Sequence, residues 1–356
     1  MKGLRLYLAP FAPDDSGAAS VLYPLGGLVV ICDAGGCAGN ICGFDEPRWG
    51  LGDKTSAVFS AGLRDMDAIM GRDDRLLEKM KRACQDVDAP FAAIIGTPVP
   101  AVISTDFDAL AHMGETRLGI PVVAVPTTGT HLYDEGISLA LLSLFQRFST
   151  PCKNQGSRRI LGVLGATPLD LSDITADPLR QALEPEGWEE IRIYGMDGSL
   201  DAYQRAAENT RNLVYSPAGL AAAKWLNQHY GTPYEIRCPL TQSESADAQH
   251  LISYLKQHPS RVLVVHQQYH ANAIRDAIEQ QVSDASVTCA TWFMQDADKS
   301  RPQDKHFTEE DAFRSCLQEQ DFDILLADPA FRRALPQGPT ISFIPLPHFA
   351  ISGEDN

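Results

Sequence analysis

Seven short, almost wholly apolar runs constrain what this chain can fold into. They are GGLVVICDA (26–34), FAAIIGT (91–97), IPVVAVPTT (120–128), ILGVLGA (160–166), RVLVVHQ (261–267), FDILLADP (322–329) and TISFIPLP (340–347). Each is too short for a core helix and lacks polar alternation, which fits a strand buried on both faces, and such strands belong to parallel sheets. Amphipathic stretches with helical spacing, such as DDRLLEKMKRA (73–83), AQHLISYLKQ (248–257) and ANAIRDAIEQQ (271–281), alternate with them. This rhythm predicts strand–helix units and an α/β fold. A chain of 356 residues has room for two or three separate cores. The polar, turn-rich STPCKNQGSRR and the His258–Pro259 break divide it into expected lobes at 1–150, 151–257 and 258–356.

Composition removes several function classes. No run approaches the roughly 18 apolar residues of a membrane span. The N-terminal MKGLRLYLAPFAPDDSG meets proline and aspartate too early for a signal peptide, so a cytoplasmic location without a membrane partner is expected. A formal net charge of −16 argues against nucleic acid, whose phosphates call for clustered Lys and Arg. Neither a G-x-x-x-x-G-K-[ST] loop nor a dinucleotide fingerprint is present, so any nucleotide hydrolysis is expected from a partner.

Eight cysteines in a reducing compartment do not read as a disulfide framework. Three of them, Cys32, Cys37 and Cys42, lie five residues apart in CDAGGCAGNICGFDEPRW (32–49), directly after an expected strand. The carboxyl end of a strand is where open α/β sheets place ligands. Glycines including Gly36 and Gly39 allow backbone N–H groups to approach a cluster's sulfides. Zinc would call for a second Cys or His pair, whereas the nearest histidine is His112, well outside the loop. By spacing alone an iron–sulfur cluster, zinc and redox-sensing thiols all stay open, with Asp33 and Asp45 as local oxygen ligands. Cys84, Cys152, Cys238, Cys289 and Cys316 read as small core residues.

The order of several stretches resembles component 1 of nitrogenase and its relatives. DAGGCAGN (33–40) is similar to the family's Gly-Cys loop after the first strand. GTPVPAVISTDFDAL (96–110), IPVVAVPTTG (120–129), YGMDGSLDAYQRA (194–206) and YGTPYEIR (230–237) are similar to its later segments. CGFDEPRW (42–49) and VFSAGLRDMDAIMGRDDRLLEK (58–79) resemble the shorter nitrogenase-like proteins of anaerobes. The resemblance implies two to three Rossmann-like lobes with parallel sheets. It also implies a homodimer, or a heterodimer with a paralogous subunit, fed by an ATP-dependent iron–sulfur reductase and reducing a small molecule near an interface cluster.

Residue by residue, Cys37 matches the family's cluster cysteine. The other two family positions fall near Phe11 and Pro98, which are not cysteines, and Cys32 and Cys42 have no counterpart. The resemblance therefore implies a redrawn ligand set of Cys32, Cys37 and Cys42, holding a 4Fe–4S cluster or sharing an eight-iron cluster across a dimer. The thiolate anchor of the nitrogenase active cofactor would fall near Ala223, and the region bearing its histidine anchor has no match. Dinitrogen reduction on molybdenum is thus not expected. An iron–sulfur scaffold or carrier, and a cluster-free small-molecule-binding protein with sensing thiols, are the alternatives.

Around the loop, Asp45, Glu46 and Arg48 are candidate cluster-shell or docking groups; otherwise Asp45 and Arg48 form a local ion pair with Trp49 as packing. Ser104, Thr105 and Asp106 fit a helix N-cap. In TTGTHLYDEG (127–136), His131 is the candidate acid or base of an inter-lobe cleft. His348 reads as a loop or core histidine.

Overall fold

The computed structural model describes residues 5–49, 55–152, 158–171, 174–239, 246–258, 260–319, 322–336 and 341–353. The expected breaks fall partly on residues 153–157 and Pro259, outside the described residues. The strands form three separate sheets, each drawn from one contiguous stretch of chain. The first holds β1 (Leu28–Ile31), β2 (Ala57–Ser60), β3 (Ala92–Ile95) and β4 (Val122–Val125) in the order β2-β1-β3-β4. The second holds β5 (Ile160–Leu164), β6 (Glu190–Ile193), β7 (Arg211–Val214) and β8 (Tyr234–Ile236) in the order β6-β5-β7-β8. The third holds β9 (Arg261–Val265), β10 (Ser286–Thr291), β11 (Lys305–His306), β12 (Ile324–Ala327) and β13 (Ser342–Pro345) in the order β11-β10-β9-β12-β13.

All ladders are parallel, as the apolar runs require. Each of the seven runs supplies a strand, and in β1, β3, β5 and β12 every residue is buried. Every sheet starts at an inner strand and reverses its winding beside it. The crevices at these switch points lie between β1 and β3, β5 and β7, and β9 and β12. Ligands of such sheets bind there, at the carboxyl ends.

One apolar core joins the three sheets. Val29 and Ile31, Leu164 and Val214, and Leu263 and Leu325 all belong to it, together with the inward face of the Tyr133–Phe148 helix. That helix crosses the Asp14–Leu22 helix at two facing glycines. A Cβ on Gly17 would collide with the Tyr133 carbonyl, and one on Gly136 with that of Asp14. Backbones pack at contact distance there, so the first lobe's helices act as a rigid spine for the other two.

Candidate functional site

The cysteine loop leaves β1 at its switch point. Cys32 closes the strand: its N–H donates to the Ile95 carbonyl (2.9 Å), and its own carbonyl accepts from the Thr97 hydroxyl (2.8 Å). Asp33 then holds the loop in place, accepting the Ala38 N–H (2.9 Å) and the Ser60 hydroxyl (2.6 Å). Gly35 turns the chain at φ 119°, a left-handed value that glycine adopts without strain. A short helix, Gly36–Asn40, runs straight into a π turn, Ile41–Asp45, in which the Glu46 N–H reaches back to the Ile41 carbonyl (3.0 Å). Single π turns of this kind recur at functional sites.

The three thiols do not come together. Side chains alternate along a strand, so Leu28, Val30 and Cys32 face one layer while Val29 and Ile31 face the other. Cys32 is buried beside Leu76 and Leu77, whereas Cys37 packs on the opposite face with the spine helices. Among the described residues, no group of three His, Cys, Asp or Glu side chains converges on one metal position. Cys37 and Cys42 remain partly accessible. Burial pushes the thiol of Cys32 up to about 12 and that of Cys37 up to about 11, and it raises Cys42 as well. The Cys37 thiol also meets Asp15, whose own carboxyl burial raises to about 6.

The oxygen candidates are committed elsewhere: Asp33 as above, and Asp45 to the Ser16 hydroxyl (2.6 Å). Arg48 pairs with Glu46, not with Asp45 as the local-pair reading had it, through two bonds of 2.7 and 2.8 Å. Its remaining donors reach the carbonyls of Ser20, Gly195 and Met196, which ties the end of the loop to the second lobe. Trp49 stacks on Tyr23 with centroids 5.5 Å apart.

Gly36, Gly39 and Gly43 have no conformational reason to be glycine. None has a positive φ, and a Cβ on any of them would meet nothing within 4 Å. Glycine in a helix costs about 1 kcal/mol relative to alanine, so the open space above these residues is where a group from outside the chain can approach the backbone. Exposed apolar side chains occur in the loop itself and in the segments at and after β2 and β3. Phe44 is 74% exposed and Val102 83%, with Phe59, Met66, Met70 and Ile103 exposed at the ends of neighbouring strands and in the helices that follow them.

A second polar centre, at the junction of the lobes, was not singled out from the sequence. The Tyr133 hydroxyl donates to Asp170 (2.7 Å) and sits 2.9 Å from Nε2 of His348. His348 stacks on His266 with centroids 4.2 Å apart, and His266 lies 4.3 Å from His270. Nδ1 of His266, both ring nitrogens of His270 and Nδ1 of His348 are buried without a hydrogen-bond partner. Burial holds His270 down to about 4 and His348 to about 3, while it lifts Asp170 to about 8 and Asp134 to about 7. Burial thereby works against the charged form of each of these groups. His348 is thus a core histidine, but one member of a cluster. His131 stands apart on the surface, its Nδ1 paired with Glu135 at 2.7 Å; the buried residues of that segment are Thr127, Tyr133, Asp134 and Gly136. Asp106 caps the Phe107–Leu118 helix by accepting the Ala109 N–H.

The family model of nitrogenase component 1 type oxidoreductases matches residues 16–286, a span covering the loop, the first two sheets and, of the third, β9 and the start of β10. The chain belongs to this family. It is 27% identical over 188 residues to the nitrogenase iron-molybdenum cofactor biosynthesis protein NifE of Klebsiella pneumoniae, covering 49% of this chain and 41% of that protein. It is 30% identical over 108 residues to light-independent protochlorophyllide reductase subunit N of Leptolyngbya boryana, covering 30% of this chain and 22% of that protein. The matches thus span less than half the length of these curated relatives. A solved structure of nitrogenase Cp1 at pH 6.5 superposes with a TM-score of 0.73 at 11% identity, covering 99% of this chain and 88% of that one, which shows the shared fold. No helix among the described residues is long and apolar enough to cross a membrane.

Set against an iron–sulfur cluster, the loop of this nitrogenase-like chain fits in part. Cys37 and Cys42 carry accessible sulfur beside open, glycine-lined backbone. Cys32 carries neither feature.

Proposed function

We propose that this chain is the iron–sulfur component of a nitrogenase-like two-component reductase, in which an interface cluster is held by Cys37 and Cys42 from each of two subunits. The observation that carries this reading is the cradle of Gly36, Gly39 and Gly43 between and beside those cysteines, in a loop that also exposes Phe44. Two subunits related by a two-fold axis would bring four thiolates together, the number that a four-iron cluster takes. When bound, the cluster would accept and pass on single electrons, delivered by an ATP-dependent iron–sulfur reductase and destined for a small molecule.

The chain's own part is positional. Asp33 and the π turn hold the two cysteines on one stiff segment, and the Glu46–Arg48 pair locks that segment to the second lobe. Burial of Phe44 and the other exposed apolar side chains on association would exclude water from the joint, which lowers the local dielectric around the thiolates. Cys32 is assigned to the core. We take 1–150, 151–257 and 258–356 as the domains, one per sheet.

The sequence match to a cofactor-biosynthesis protein supports a second reading, a cluster carrier. Anaerobic reconstitution followed by sedimentation tests the joint: cluster-loaded protein should be dimeric, and Val102→Glu with Phe44→Glu should make it monomeric and lower its iron content. A loaded monomer would overturn the interface. Incubation with an apo-ferredoxin separates the two readings, since a reductase component retains its iron and a carrier surrenders it.

A further inference from the structure

Between the second and third sheets lies a cleft of about 670 Å³, within the usual range of small-molecule sites. Its walls are the residues just past the carboxyl end of β8, the Gln268–Gln281 helix that follows β9, and the 3-10 turn Ala297–Lys299. We infer that this cleft binds a small polyanion bearing phosphate or several carboxylate groups. The inference stands whether or not the cysteine loop holds iron.

Charge is the first reason. The lining presents four cations, Arg237, Arg275, Lys299 and Arg301, and two carboxylates, Asp276 (3.4 Å from Arg301) and Asp298, while the carboxylates that hold the arginines, Glu186, Glu235, Glu279 and Asp304, are not part of the lining. The second reason is how those cations are held. Arg275 is buried, with one terminal nitrogen on Asp304 (2.6 Å) and the other on Asn272 (2.7 Å), while its Nε is buried without a partner. Arg301 is clamped by both oxygens of Glu279, at 2.7 and 2.9 Å. Arg237 meets Glu186 and Glu235 through a single nitrogen, at 2.8 and 3.3 Å.

A guanidinium has five donors, so each of these arginines is oriented by its carboxylate or amide partner and still has N–H groups to offer. Lys299 is exposed at the rim and forms no ion pair among the described residues. Cations fixed in advance lose little freedom on binding, which favours an anion with several oxygens over a single chloride. Arg237 also sits at the carboxyl end of one sheet and Arg275 on the helix that follows the first strand of the next, where two lobes of an α/β protein place ligands.

Titration calorimetry of the full chain at low ionic strength, with inorganic pyrophosphate and separately with citrate, tests this. Saturable one-to-one binding of at least one anion is expected, and the tighter of the two identifies phosphate or carboxylate as the recognised chemistry. Lys299→Ala and Arg237→Gln, confirmed as folded by circular dichroism, should each weaken it about tenfold, the worth of one charge-assisted bond. Lys81→Ala, on the exposed Asp73–Asp86 helix, should leave it unchanged. Absence of saturable binding by both anions, or equal weakening by Lys81→Ala and Lys299→Ala, would overturn the inference.

Discussion

Replacing Gly39 by alanine should stabilise the free chain and impair its assembly. Gly39 sits within the Gly36–Asn40 helix, its φ is not left-handed, and a Cβ there would meet nothing within 4 Å. The added methyl therefore carries no steric penalty inside the chain, while the gain in helix propensity and the loss of unfolded-state freedom are worth about 0.5–1 kcal/mol. For a chain of this length that is a rise in Tm of only about 1–2 °C. A cluster or partner backbone seated on the glycine loses its place, and a larger residue, Gly39→Leu, extends the effect. Differential scanning calorimetry of the apo protein, paired with iron analysis and sedimentation after reconstitution, reads both sides. A lowered Tm would show a contact within the chain that this reasoning denies. Undiminished iron and association in Gly39→Leu would remove the reason for the glycine cradle.

Other consequences concern the framework around the site. Burial raises the folded-state pKa of Asp170 from 3.8 to about 8, so its proton stabilises the fold fully below about pH 4, and that contribution is lost as pH rises toward 8. At about 1.4 kcal/mol per pH unit, wild type should lose about 4 kcal/mol relative to Asp170→Asn between pH 5 and pH 8 in urea titrations, and parallel curves would refute it. His270 acts in the opposite direction. Held down to about 4, it stays neutral in the fold while the unfolded chain takes up a proton below about 6.5, so stability is lost as pH falls from 6.5 to 4. His270→Gln should flatten that acid limb. Glu46→Ala leaves the buried Arg48 guanidinium without its counter-charge and should cost about 3–5 kcal/mol by chemical denaturation. Gly136→Ala forces the spine helices apart and should cost at least about 1–3 kcal/mol by the same assay.

The parallel sheets were legible because strands buried on both faces must be apolar throughout, and all seven runs became strands. The strands overlooked are those whose burial is incomplete or whose ends are polar: β2, half exposed at a sheet edge, β6, which opens on Glu190, β7, which opens on exposed Arg211, and the partly buried edge strands β8 and β11. The position of the cysteine loop followed from the strand before it. The separation of Cys32 from Cys37 was also within reach, since the two-residue alternation from Leu28 through Val30 to Cys32 already sends that thiol to one face. The Glu46–Arg48 pair escaped notice because it forms across a turn just after the π turn, where helical spacing does not apply. Only part of the histidine cluster had a local signature, the four-residue spacing of His266 and His270. His266 and His348 are 82 positions apart and meet only because parallel strands of one sheet deliver their carboxyl ends to one edge. The glycine cradle could not be told from ordinary turn glycines until the space above each Cα was known.

The central claim is that Cys37 and Cys42, and not Cys32, hold an iron–sulfur cluster. Iron and acid-labile sulfide per chain, measured after anaerobic reconstitution of wild type and of Cys32→Ser, Cys37→Ser and Cys42→Ser, test it most directly, with low-temperature electron paramagnetic resonance of the reduced samples. The account predicts about two irons and two sulfides per chain in wild type, the share of one four-iron cluster between two subunits. It predicts the same in Cys32→Ser and loss of both in Cys37→Ser and Cys42→Ser. Wild type without iron, or iron that survives Cys37→Ser and disappears with Cys32→Ser, would contradict it.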